Sequence, residues 1–221
     1  MTTARRTTPD LLGITLAHRV MRRDLHRLTD AARAIADGSP CPDRRARALD
    51  RWLANLEHEI HGHHTAEDDV AWPVIARYAG HAVDLAELSD DHGRLDPLLT
   101  AVREASFALV AAPEPGRAAP AGVLADRLAA VRDEIDEHLD AEEGELFPVI
   151  ERYVPAREWE GVEAQVQKSG PGLRFMLPRI MDVLSDDELA RIRTEAGPLL
   201  MVLARAVRGG YRRRCTLVFG G

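Results

Sequence analysis

Cysteine is scarce in this sequence: Cys41 and Cys215 are the only two among 221 residues, and they lie far apart. Such a pair provides neither a disulfide framework nor the closely spaced thiols of a structural zinc site. Aromatic residues make up only 5 % of the chain and β-branched runs are few, whereas Ala, Leu and Arg are plentiful. This balance favours helices over β-sheets. We therefore expect an all-α protein in a reducing compartment.

Long apolar segments are also absent. No stretch approaches the roughly 20 apolar residues that a transmembrane helix requires, and residues 1–10 carry arginines with no apolar core after them. We therefore expect no membrane span, no secretory signal and a cytoplasmic location. The net charge of −7 comes from dispersed residues rather than an acidic tail, which argues against a nucleic-acid-binding surface.

Four long segments show the apolar spacing of helices. They span residues 11–36, 43–78, 83–110 and 123–153. We expect Pro73 to kink the second segment, and residues 111–122, rich in Ala, Pro and Gly, to form a flexible connection. Four helices of this length, joined mostly by short turns, predict an antiparallel up-down four-helix bundle.

The last part of the chain differs in character. It contains a short helical stretch at residues 155–169 and a strongly apolar stretch at residues 173–184. A capping-box motif at residues 185–188 opens another helix that should end near residue 207. Residues 211–221 are basic and then apolar. We expect residues 155–221 to form a C-terminal helical extension that packs on a bundle made by residues 1–154.

The clearest feature of the sequence is an internal duplication. A shift of 75 residues aligns residues 59–78 with residues 134–153 and pairs His63 with His138 and Glu67 with Glu142. A shift of 74 aligns the first and third helices and places His18 on His92. The bundle therefore consists of two repeats, at about residues 10–80 and 83–153.

Both repeats carry histidine and glutamate at spacings that suit a metal site. Residues four apart on a helix share one face, so His63 and Glu67 can reach one site, and their equivalents can do the same. The six ligand-type side chains are His18, His63, Glu67, His92, His138 and Glu142. Imidazole suits iron, zinc and copper, and a pair of cations would offset the cost of burying these groups. A lone histidine is more often structural, but the duplicated arrangement favours a metal site.

These motifs resemble the hemerythrin family, in particular the bacterial hemerythrin-like HHE cation-binding domains. The match is carried by residues 63–68 (HHTAED) with the following Trp-Pro pair, by residues 138–143 (HLDAEE) with Phe-Pro, and by the two single-histidine helices. It covers roughly residues 10–153. The resemblance implies a non-haem centre of two iron ions, in which Glu67 and Glu142 bridge the irons and the four histidines are terminal ligands.

The sequence departs from the oxygen-carrying members in its fifth nitrogen ligand. Those members have a histidine four residues from another on the third helix, whereas the positions four from His92 are Leu88 and Asp96. Asp96 could substitute, cap the helix or face solvent. His64, about 100° around the helix from His63, is the better candidate. The residues expected outside the ligand set are His26, His58, His61, His81, Asp68 and Glu143.

Two functions are compatible with such a centre. The favoured one is an oxidoreductase that activates O2, or reacts with peroxide or nitric oxide, because fewer fixed nitrogens leave more exchangeable positions. The extension could then form a pocket or lid for a small organic substrate. The alternative is reversible O2 binding, storage or sensing without turnover; a structural metal module fits less well, because structural zinc sites favour cysteine and four closed positions. The extension could equally serve a dimer interface, so monomer and homodimer both stay open.

Overall fold

The computed structural model describes residues 8–166 and 172–220, and every regular element in those ranges is helical. The bundle part contains α1 (Leu12–Ala36), α2 (Asp43–Ala66), a π-helical turn (Glu67–Ala71), α3 (Trp72–Ala79), α4 (Leu85–Ala111), α5 (Ala118–Ala141), a second π-helical turn (Glu142–Leu146) and α6 (Phe147–Tyr153). The remainder contains α7 (Ala156–Val166), α8 (Leu173–Met181) and α9 (Asp186–Phe219).

Four of these helices form the predicted antiparallel up-down bundle. Helix α1 packs most extensively on α5, α4 packs on both α5 and α2, and α2 returns to α1. Their inward faces supply fully buried apolar side chains such as Met21, Leu49, Leu109 and Leu128. Removing this apolar surface from water is the main driving force for the assembly. Among the helices described, none has the length and apolar character needed to cross a bilayer.

The connection before α5 is shorter than the sequence suggested. Helix α5 begins at Ala118 rather than at residue 123, and the preceding link contains one 3₁₀ turn, Glu114–Gly116. Arg117 in this link is buried and donates hydrogen bonds to the carbonyl oxygens of Leu109 and Cys41. Pro120 lies in the first turn of α5. The N–H groups of a first turn have no partner within the helix, so a proline at this position costs no helical hydrogen bond. The predicted bounds of the connection, residues 111–122, were therefore wrong.

A wider, π-helical turn directly precedes Pro73, and the kink expected there stays a prediction. The N–H of Trp72 bonds to the carbonyl of Glu67, five residues earlier, and the N–H of Phe147 bonds to Glu142 in the same way. In α geometry a proline ring collides with the carbonyl four residues before it, and a π-helical turn relieves that contact. Both repeats contain this wider turn, and each turn begins at a predicted glutamate ligand.

Helix α9 is longer than predicted. Its capping box is confirmed, since the Ser185 hydroxyl accepts from the N–H of Glu188 and the Glu188 carboxylate accepts from the N–H of Ser185. The helix is interrupted at Gly197, which has a left-handed φ of 71°, and then continues to Phe219 rather than ending near residue 207. The three arginines at residues 212–214 interrupt the apolar pattern, so the sequence did not indicate that the helix continues through them. The predicted end of the stretch at residues 155–169 lies outside the described residues.

A buried ion-pair cluster holds α8 against the bundle. Arg179 is fully buried and donates to Asp24 at 2.8 Å and to Glu59 at 2.6 Å. The indole N–H of Trp52 donates to the same Asp24 carboxylate, and the Phe175 ring lies 4.1 Å from the guanidinium. Helix α9 contacts α1 and α2, and α7 contacts the first π-helical turn and α3. The division into domains at residue 154 stays a prediction.

Replacing Arg179 with alanine should lower the free energy of unfolding by about 3–5 kcal/mol, because Glu59 would stay buried without its cation and Asp24 would keep only its pair with Arg23. Urea unfolding followed by circular dichroism measures this loss. The exposed pair Arg33–Asp126, at 2.8 Å, provides a matched control. Arg33→Ala should cost less than about 1 kcal/mol. Equal losses in the two variants would contradict the prediction.

Candidate metal centre

Seven predicted side chains converge between the helices of the bundle. They are His18 on α1, His63 and His64 on α2, Glu67 in the first π-helical turn, His92 on α4, His138 on α5 and Glu142 in the second π-helical turn. None of these side chains is more than 9 % exposed. The structure therefore brings together all six side chains expected from the duplication and the fifth imidazole candidate.

The seven side chains form two groups that share Glu67. The first group, called here the three-histidine group, consists of His64, His92, His138 and Glu67. The second, the two-histidine group, consists of His18, His63, Glu142 and Glu67. In each group the ligand-type atoms lie within 4.8 Å of one another. Glu142 also approaches His138 at 3.4 Å, so both carboxylates lie between the two groups.

Most of the inward-facing atoms in these groups have no hydrogen-bond partner among the described residues. They include Nε2 of all five histidines and both carboxylate oxygens of Glu67 and Glu142. Nε2 of His63 lies 3.0 Å from Oε1 of Glu67, yet the pair lacks hydrogen-bond geometry. Each unsatisfied buried polar group costs about 1–3 kcal/mol. Cations held between these nitrogen and oxygen atoms would satisfy them, so the residues fit a metal centre.

Carboxylates outside the two groups orient two of the histidines. Nδ1 of His18 lies 2.9 Å from Glu143, and Nδ1 of His92 lies 3.0 Å from Asp68, which also accepts from the Ser89 hydroxyl. A carboxylate partner fixes Nδ1 as the protonated nitrogen and leaves the Nε2 lone pair for a metal. The pairing crosses the duplication, because Asp68 of the first repeat serves the second repeat and Glu143 serves the first.

Aromatic rings cover the same two histidines in a repeated manner. The Phe147 ring stacks on His18 with centroids 5.6 Å apart, and the Trp72 ring stacks on His92 at 6.2 Å. Trp72 and Phe147 occupy equivalent positions in the two repeats. Each ring places apolar surface beside an imidazole, which limits the access of water to the site.

The buried surroundings favour the ligand form of three of the histidines. Burial lowers the pKa of His63, His64 and His92, and for His64 the neighbouring imidazoles act in the same direction. These rings are therefore neutral at pH 7, the form that binds metals. Burial and the adjacent charge of Glu142 raise the pKa of Glu67 well above its usual range. A nearby cation would reverse that shift by favouring the carboxylate.

A cavity of about 500 Å³ adjoins the two-histidine group. His63 and Glu67 line one side of it, and its other walls include Trp159 on α7 and Met176 on α8. None of the three histidines of the other group lines the cavity. Access to the centre from this side therefore leads to the group with fewer nitrogens.

The helical angle explains why His64 joins the cluster. His63 and His64 diverge by about 100° and so reach opposite sides of Glu67, one in each group. Asp96 is exposed and lies outside both groups. The histidines expected elsewhere, His26, His58, His61 and His81, are all exposed.

Asp91 is a residue that the sequence reasoning missed. Its Oδ2 atom lies 3.6 Å from Nδ1 of His138. The alignment of the repeats places Ala17 at the equivalent position, so the duplication gave no signal for it. The adjacent His92 is the one hint in the sequence. Whether each of the seven side chains is a ligand stays a prediction.

The family model described as Hemerythrin HHE cation binding domain matches residues 13–150 of the chain. The matched range contains both repeats and all seven side chains, and it leaves α7, α8 and α9 outside. No curated protein and no solved structure matches the chain.

Replacing His64 with alanine should weaken metal binding by more than about tenfold. Removing a metal ligand should cost more affinity than removing a residue that only orients a ligand. Competition with a chelator, read as metal retained per chain, measures this effect. His61, an exposed histidine on the same helix, provides the control, and His61→Ala should retain metal. Equal retention by the two variants would remove His64 from the ligand set.

Replacing Glu143 with glutamine should lower metal affinity by about 10- to 100-fold, since His18 would lose its charged acceptor. The same chelator competition applies. Glu145→Gln changes an exposed carboxylate of the same turn and should leave affinity unchanged. If Glu143→Gln binds metal like the unaltered protein, the outer carboxylate does not tune the site.

Proposed function

We propose that this chain, which belongs to the Hemerythrin HHE cation binding domain family, is a non-haem di-iron oxidoreductase. The two groups around Glu67 would hold one iron each, and the reaction partner would be O2, peroxide or nitric oxide. The observation that carries the proposal is the inequality of the two groups. One offers three imidazoles and a shared carboxylate, whereas the other offers two imidazoles and two carboxylates.

The described residues support this proposal by their chemistry. Iron, when bound, supplies the redox change that reaction with such small oxidants requires. Imidazole and carboxylate are ligands that suit it. Glu67 and Glu142 contribute negative charge between the two positions, while Glu143 and Asp68 hold the imidazoles of His18 and His92 in one orientation.

The preference for turnover over simple binding rests on the two-histidine group. Each group has four residues, fewer than a six-coordinate cation can accept, but the cavity is lined by a histidine of this group and by none of the three histidines of the other. Exchangeable coordination positions on an iron held by this group would let an oxidant and a second reactant bind side by side. A structural metal module would instead close its coordination sphere with four ligands, often cysteines.

Reversible O2 binding, storage or sensing is the second candidate function. It is favoured by His64, which raises the number of imidazoles in the cluster to five and makes the centre nitrogen-rich. The aromatic rings beside His18 and His92 also limit the access of water to the site. A protein of this type would hold its gas without consuming it.

A cytoplasmic location belongs to the same proposal. Both cysteines are free thiols, and Cys41 is buried, as expected of a chain kept in a reducing compartment. Burial raises the pKa of the Cys41 thiol, which makes it less reactive.

Protein produced with ample iron should contain about two irons per chain, one for each group of ligands. Metal analysis and visible spectra recorded with reductant, air and peroxide test this. Steady consumption of O2 or peroxide would support the oxidoreductase, whereas a lasting and reversible air adduct would support the carrier. Zinc alone, or no metal, would contradict the di-iron proposal.

The metal should also contribute to stability, because its removal leaves the buried nitrogen and oxygen atoms unsatisfied. Chelation should lower the thermal midpoint of the unaltered protein. Glu67→Ala should bind no iron, so a chelator should leave the thermal midpoint of this variant unchanged. Asp69→Ala, at an exposed position in the same π-helical turn, serves as the control and should behave like the unaltered protein.

A further inference from the structure

We propose that the cavity beside the two-histidine group binds an uncharged, largely apolar organic molecule. Its role as a substrate site rests on the proposed function, whereas binding itself does not. The volume of about 500 Å³ lies within the range of small-molecule pockets. Protein interiors are otherwise close-packed, with few voids larger than a water molecule. The cavity, partly open to solvent and lined mostly by apolar side chains, has the size and character of a pocket for a small molecule.

The duplication shows where the space comes from. Ala17 and Ala71 line the cavity in the first repeat. Their equivalents in the second repeat are Asp91 and Leu146. Asp91 approaches His138, and Leu146 is completely buried. The first repeat thus has small side chains at positions where the second repeat has larger ones, and the difference leaves room beside His63.

The extension supplies the opposite wall. Trp159 and Val162 on α7 and Met176 and Ile180 on α8 line the cavity. The indole N–H of Trp159 donates to the carbonyl of Asp10 at 3.1 Å. These residues lie outside the range matched by the family model, so the pocket wall is a feature of this chain's own extension.

An ion-pair cluster holds the α8 part of that wall in position. Arg179 fixes α8 to Asp24 and Glu59 of the bundle. On α1, a methyl group at Gly13 would lie 2.7 Å from the Glu163 carboxylate of α7. Glycine at this position therefore leaves room for the Glu163 carboxylate beside α1. The cavity is bounded by packed and ion-paired elements on both sides.

The lining indicates the class of molecule that fits. It is predominantly apolar, with Ile14, Leu16 and Trp159 among its residues. The charged side chains that line it within the described residues, Glu67 and Glu163, are both carboxylates. A charged or strongly hydrated molecule would lose its water on entering this apolar lining without compensation. A neutral aromatic or alkyl molecule matches the lining and would lie against the two-histidine group.

The test uses 4-bromotoluene, whose bromine quenches tryptophan fluorescence on contact, and the similarly shaped anion 4-bromobenzoate. Trp159 lines the cavity and serves as the reporter. Titration of the protein as purified should give saturable quenching by 4-bromotoluene. Binding of 4-bromobenzoate should be at least about tenfold weaker, a difference in affinity that titration resolves.

Variants locate the binding site. Ala71→Leu introduces the side chain that the second repeat carries, and Leu173→Asp adds a carboxylate to the α8 wall at a residue that is 55 % exposed, where folding tolerates change. Each should weaken 4-bromotoluene binding by at least about tenfold, because the pocket loses volume or apolar character. Ala130→Leu on the exposed face of α5 makes a matched change elsewhere and should bind normally.

Absence of saturable quenching, equal binding of the anion, or full binding by both Ala71→Leu and Leu173→Asp would overturn the proposal. Iron content measured on the same samples separates the two inferences. Binding without iron would remove the di-iron function and keep the pocket. Two irons per chain without binding would remove the pocket and keep the function.

Discussion

The structure depends on one constraint, the burial of five imidazoles and two carboxylates within an apolar bundle. Nearly every atom that these groups turn inward lacks a hydrogen-bond partner in the described part of the chain, a condition that proteins avoid unless something else satisfies the atoms. The π-helical turns, the outer carboxylates and the stacked aromatic rings all serve to aim these atoms at two shared points. The bundle supplies the rigid frame, and the cations would supply the compensation.

Helical periodicity predicted the four-helix bundle because it reports which faces are apolar, and that information is local. It failed where contacts between residues distant in the sequence determine where a helix begins or ends. Arg117 looked like part of a polar link, yet its hydrogen bonds to two carbonyl oxygens bury it and let α5 begin early. The last helix was expected to end near residue 207, yet α9 continues to Phe219, with Tyr211 and Val218 packed into the core. Neither contact can be read from spacing.

The sequence likewise predicted some parts of the candidate site and not others. The duplication identified six side chains because it repeats their spacing, and the adjacency of His64 to His63 identified the seventh. Asp91 escaped because it aligns with an alanine, and Arg179 escaped because it lies outside both repeats. The contacts of both depend on how helices distant in the sequence meet. The cavity escaped for the same reason, although the possibility of a pocket in the extension was raised. Departures from the repeat, rather than the repeat itself, distinguish the two sides of the centre.

The crossed pairing of outer carboxylates has a consequence for how such a chain can be divided. Each repeat orients a histidine of the other, through Asp68 with His92 and through Glu143 with His18. A half-length chain would therefore complete this arrangement only by pairing with a second copy of itself, at a rate and extent set by its concentration. With the two halves joined covalently, the partner is always present, and the arrangement can form in a single molecule however dilute the protein becomes.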